Sequence, residues 1–242
     1  MKTKLMGLLS GTALACAVAA APAMAGGMTN WNFYSLLNNQ GYNNTDIGSS
    51  YDSFAQGYES VQVDSVSQKG SSAATDICAG AWCLSYLDLF AKNGGTAGEQ
   101  GLGLAGDPYG NGGEIYYPNG IYVNTAGVSG HVTSFTLGSV QGNAKSGEGW
   151  AVLAANDTSS DWTLLGSGVG SNIVDFSNPA LADYTNFIIA EPNSDLVNGS
   201  NDIVLMSMTT VPEPGTLALF GAGLLGCAFF VSRRRRTRME LM

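Results

Sequence analysis

Glu59-Ser60-Val61-Gln62-Val63-Asp64-Ser65-Val66 sets apolar side chains between polar ones over most of its length. Successive side chains of an extended strand point to opposite faces, so such a run suits a strand with one face in a core and one in water. Leu84-Ser85-Tyr86-Leu87-Asp88-Leu89-Phe90 has the same character. Working outward, short apolar runs bounded by Gly, Asn, Asp or Pro recur at 58–66, 84–90, 115–117, 121–123, 131–140, 150–155, 162–165, 173–176, 187–190 and 203–208. Ten short strands in one stretch predict an all-β fold, a β-sandwich or jelly-roll. Residues 57–211 are the expected sandwich, and residues 26–56, rich in Asn, Ser, Tyr and Gly, read as a loosely packed N-terminal segment. Within that segment 31–37 fits a short helix and an edge strand equally well.

Both flanks of this domain carry membrane signals. Residues 1–25 open with Lys2 and Lys4, continue through an uncharged apolar stretch and close on Ala23-Met24-Ala25. That is the layout of a secretory signal peptide, with cleavage by signal peptidase after Ala25. At the other end, Val211-Pro212-Glu213-Pro214-Gly215 leads into 18 uncharged residues, 215–232, and then into Arg233, Arg234, Arg235, Arg236 and Arg238. As a helix, 215–232 would be about 27 Å long, close to the hydrocarbon thickness of a bilayer. All the arginines of the chain follow it, so the positive-inside rule places the tail in the cytoplasm and the domain outside. Two prolines around Glu213 disfavour regular helix and central strand, which predicts an extended, accessible segment beside the membrane.

Pro212-Glu213-Pro214, the apolar stretch and the arginine cluster, in that order at 212–238, resemble the PEP-CTERM sorting signal. The resemblance implies a transient inner-membrane anchor and processing by exosortase, an integral-membrane cysteine peptidase-like enzyme that removes the helix. The expected destination is the cell surface or the extracellular space. Gly101-Leu102-Gly103-Leu104 through Glu114-Ile115 more distantly resembles a segment of exosortase-dependent surface proteins, in which a β-sandwich follows. It departs from that pattern at Leu104 and Tyr116.

Residues 26–211 hold three lysines, Lys69, Lys92 and Lys145, against seventeen carboxylates, a net charge of about −14. A surface so acidic is unsuited to nucleic acid, whose phosphates require a basic patch. It suits a soluble extracellular domain, and it leaves cation binding open. Of the four cysteines, Cys16 leaves with the signal peptide and Cys227 lies in the apolar stretch. Cys78 and Cys83 remain, and in an oxidising compartment they are expected to form a small disulfide loop.

Catalytic signals are sparse. His131 is the only histidine, so any Ser-His-Asp or Cys-His chemistry would run through it, and no Gly-x-Ser-x-Gly elbow occurs. It opens an alternating run and reads as a strand residue facing solvent. A carboxylate pair for hydrolysis would meet only in the fold. Asp107, Asn111 and Glu114 set oxygen ligands on a Gly-rich loop of a kind that suits Ca²⁺, and 195–202 forms a second loop of this type. Asx and Gly at such positions also serve as ordinary turn-formers. Tyr109, Tyr116, Tyr117 and Tyr122 are candidates for a sugar-stacking face, or for core and cross-strand pairs. The leading expectation is therefore a non-enzymatic surface or extracellular-matrix protein without cofactor, with exosortase, signal peptidase, the inner membrane and exopolysaccharide as candidate partners. A calcium-dependent or polysaccharide-binding module and an exported hydrolase are the alternatives.

Overall fold

The structure is a computed structural model. It describes residues 28–49, 51–94, 98–106, 113–140, 148–156, 161–170, 172–191 and 203–212, together with Gly223. The elements are β1 (Thr29–Asn32), α1 (Phe33–Asn39), β2 (Thr45–Asp46), β3 (Tyr51–Gln56), β4 (Glu59–Gln68), β5 (Ala74–Ala79), β6 (Trp82–Ser85) and β7 (Leu89–Asn93). They continue as β8 (Gln100–Leu104), β9 (Asn119–Gly127), β10 (Gly130–Val140), β11 (Gly149–Ala155), β12 (Thr163–Val169), β13 (Asn172–Ser177), a 3-10 turn (Pro179–Asp183), β14 (Asn186–Ala190) and β15 (Val204–Pro212). Among the described residues these form two antiparallel sheets. One runs β13-β10-β15-β8-β7-β2, with β1 beside β15; the other runs β12-β11-β14-β9-β4-β6-β5, with β3 beside β4. The expected β-sandwich is what the chain forms.

The core lies between the sheets. Val132, Phe135, Leu137, Leu205 and Met208 come from the first, and Val61, Val63, Ile121, Val123, Phe187 and Ile189 from the second. Phe135 and Phe187 meet edge to face across the gap, with ring centroids 5.1 Å apart. The inward positions of β4 and β9 keep a strict period of two, as a half-buried strand requires. On β10 the phase slips from Val132 to Phe135, because the register against β15 shifts between Val132 and Ser134. A bulge there adds one residue and turns the following side chains to the other face.

Three parts of the chain differ from the sequence expectation. The segment 26–56 supplies, within its described residues, Trp31, Phe33, Leu37 and Phe54, all essentially fully buried, so the sandwich begins at β1 and not at residue 57. The stretch 31–37 is both strand and helix: β1 ends at Asn32, whose side-chain oxygen accepts from the Ser35 N–H at 2.8 Å and caps α1. Phe33 and Leu37, one turn apart, then face the core, where Phe33 packs edge-on against Phe54.

The run 84–90 is not one strand. β6 ends at Ser85 in one sheet and β7 starts at Leu89 in the other. Ser65 supports the crossing, its hydroxyl donating to the Leu87 carbonyl at 2.6 Å. Lastly, Gln100–Leu104, which lies in none of the ten expected strand runs, forms strand β8, with Leu102 and Leu104 fully buried. A Cβ on Gly103 would stand 1.9 Å from the Gly113 carbonyl oxygen, so this position of β8 accommodates only glycine where the returning chain crosses it.

Candidate functional site

β15 is an interior strand, held by β10 along one edge and by β1 and β8 along the other. Its last residues, Val211 and Pro212, pair with His131 and Gly130. Thr29, the first residue of β1, pairs with Thr210, and the buried Trp31 Nε1–H donates to the Thr210 hydroxyl at 3.3 Å. The two ends of the described domain, Thr29 and Pro212, are therefore adjacent strand ends. Around them lies a cleft of about 260 Å³ lined by residues that include Thr29, Gln56, Glu59, Ser129 and Pro212. Its walls are braced: Glu59 accepts from the Ser129 N–H at 3.2 Å and from its hydroxyl, and Gln56 donates to the Asn30 carbonyl at 3.2 Å. A Cβ on Gly130 would stand 2.1 Å from the Val211 carbonyl oxygen, so glycine lets the end of β15 lie close against β10.

Of the sorting residues, Pro212 is the end of β15, while Glu213, Pro214, Arg233, Arg234, Arg235 and Arg236 lie outside the described residues, as do the signal peptide with Ala25 and the stretch 215–232. Among the described residues no helix is long and apolar enough to cross a membrane. Cys78 and Cys83 are joined as a disulfide across the β5–β6 hairpin, where they are direct register partners.

Of the calcium candidates, Asp107 and Asn111 lie outside the described residues. Glu114 is buried, and its Oε1 accepts from the Lys92 ammonium and, at 2.5 Å, from the Ser139 hydroxyl. Ser139 holds a left-handed backbone, φ 58°, on β10, and the hydrogen bond to Glu114 helps keep it there. Among the described residues no group of three or more His, Cys, Asp or Glu side chains is placed to hold a metal ion. His131 is half-buried on β10 beside Val211. Tyr116 is buried with its hydroxyl on the Gly106 carbonyl, Tyr109 lies outside the described residues, and Tyr117 is half-buried.

Tyr122 behaves differently. It sits on the outer face of the eight-stranded sheet, where its hydroxyl donates to Asn186 Oδ1 at 2.5 Å and accepts from Asn124 Nδ2 at 3.1 Å. Its register partner is Asp64, whose carboxyl burial pushes up to about 6, only partly offset by the Ser65 N–H that it accepts. Burial foremost, and the neighbouring Asp64 charge, also hold the Tyr122 phenol above its ordinary range. Trp162 meets Tyr122 edge to face at 6.2 Å. Sequence reading singled out Tyr122 but neither Asp64 nor Trp162, for an outward Asp in an alternating run carries no mark of what it will face.

A model of the PEP-CTERM protein-sorting motif matches residues 210–236. The match begins inside β15, at Thr210, two residues before that strand ends at Pro212. Such a motif marks a chain for export with a membrane-anchored sorting signal, and it makes exosortase the processing partner. Comparison with curated proteins and with solved structures gave no match.

Proposed function

We propose, for a chain whose last strand runs straight into a PEP-CTERM sorting motif, a non-enzymatic role as an exported surface or extracellular-matrix component. The sandwich is delivered across the inner membrane by residues 1–25 and held there by 215–232, with the arginine tail cytoplasmic, until exosortase releases or transfers it. The observation that carries this reading is the coincidence of the motif's start with the end of β15. β1 pairs with that same strand end, so the two described ends of the sandwich are neighbours, an arrangement that suits a domain standing directly on the bilayer. The acidic composition of residues 26–211 suits a domain that stays soluble outside the cell.

The test is the intact mass of the exported species in cells with and without exosortase. The processed form should have lost the apolar stretch and the arginines, and the exosortase-deficient strain should retain them. Loss of the tail unchanged in that strain would refute the processing route.

A further inference from the structure

The outer face of the eight-stranded sheet carries a row of side chains set by strand register. Tyr51 on β3 lies opposite Asp64 on β4, Asp64 opposite Tyr122 on β9, and Tyr122 opposite Ile188 on β14. The next row holds Ser53, Gln62, Asn124 and Asn186 in the same order. Two strand spacings, about 10 Å, separate the backbones bearing Tyr51 and Tyr122. Tyr51 is 46 % exposed and Gln62 is exposed, so this part of the face is open to solvent.

We propose that this face binds a neutral saccharide chain, with Tyr51 and the Tyr122–Trp162 pair as ring platforms and Asp64, Gln62 and Asn124 meeting the hydroxyls. Aromatic rings offer an apolar face to the C–H side of a sugar and lose little freedom on binding, since only two torsions fix each of them. Tyr122 is already held by Asn124, Asn186 and Trp162, so its ring is set before a ligand arrives. Asp64 supplies the polar anchor. Among the described residues no side chain donates to its carboxylate, and the Ser65 N–H is its backbone donor. A partly desolvated carboxylate is improved by hydroxyl donors, and a polyol brings several. A cation is the weaker fit, because hard cations require more oxygen ligands than the single carboxylate here, and no metal-binding group of acidic residues occurs among the described residues. The net charge of about −14 over 26–211 disfavours uronic-acid and sulfated chains and leaves neutral ones.

The test is affinity electrophoresis of the exported, processed protein through gels containing amylose, hydroxyethyl cellulose, mannan or, as the anionic arm, polygalacturonate. At least one neutral glycan should retard the wild type, and Tyr51→Ala and Asp64→Ala should each weaken that retardation at least tenfold. Polygalacturonate should not retard it. Tyr51 is exposed and its loss leaves the core intact, so equal melting temperatures of wild type and Tyr51→Ala separate a binding defect from unfolding. No retardation by any of the three neutral glycans, retardation unaffected by both substitutions, or preferential binding of polygalacturonate would each overturn the proposal.

Discussion

Lys92, Glu114 and Ser139 form a small charged centre with almost no access to water. Removing one partner of a buried pair leaves the other charge without compensation, which costs about 3–5 kcal/mol. Lys92→Met should therefore lower stability by that order in urea unfolding, and Lys92→Met combined with Glu114→Leu should regain most of the loss. Equal destabilisation by the single and double variants would show that packing, and not the charge, is what matters there. Asp64 poses the opposite problem, a carboxyl whose burial raises it from 3.8 to about 6. The folded chain then keeps a proton that the unfolded chain has released, so stability falls as pH rises from about 4 to about 6 and stays lower above. Half the group is still in water, and screening reduces the effect to on the order of 1 kcal/mol. Melting curves between pH 4 and 7.5 should show this fall in the wild type and lack it in Asp64→Asn.

Among the elements, the β5–β6 hairpin is the least embedded. β5 is half-buried to exposed along its whole length and pairs only with β6 among the described strands. The Cys78–Cys83 bridge closes a short loop, so reduction should lower stability by about 2 kcal/mol at most, through the unfolded chain. Its larger effect should be local, read as faster amide exchange over Ala74–Ala79 in the Cys78→Ser, Cys83→Ser variant while β9 and β14 stay protected. β8 is constrained differently, by backbone crossing over backbone. Gly103→Ala should destabilise the chain by about 1–3 kcal/mol, because its Cβ meets a carbonyl oxygen that no rotamer change can move. These elements also mark the limit of pattern reading. The alternation in 59–66 gave β4 correctly, since period two is a local property. The same signal in 84–90 missed a crossing between sheets, because alternation says nothing of which strand lies alongside. Gly101-Leu102-Gly103-Leu104 gave no strand signal for a similar reason: two glycines weaken a strand in isolation, and only the Leu205 backbone beside Gly101 and the Gly113 backbone beside Gly103 explain them.

At the scale of the whole molecule, the Pro212 end governs processing. β15 is paired up to Pro212 with β10, and Thr29 closes the other edge at Thr210. A peptidase engages its substrate as free extended chain, so a bond inside β15 is protected while the sandwich is folded. The mass of the mature protein should correspond to a C-terminus at or beyond Pro212, and a C-terminus within Val204–Val211 would mean that exosortase acts on unfolded chain. The C-terminal sorting motif was legible in the sequence alone, since the order of Pro-Glu-Pro, apolar stretch and arginines is a local property and needs no partner strand. The all-β class followed in the same way from short, turn-bounded apolar runs. Tertiary structure alone decided that the start of β1 lies beside the end of β15, that Glu114 faces Lys92, and that Asp64 lies between Tyr51 and Tyr122. Each of these depends on strand register and sheet order, which arise from contacts between residues far apart in the chain, and a local pattern carries no record of them.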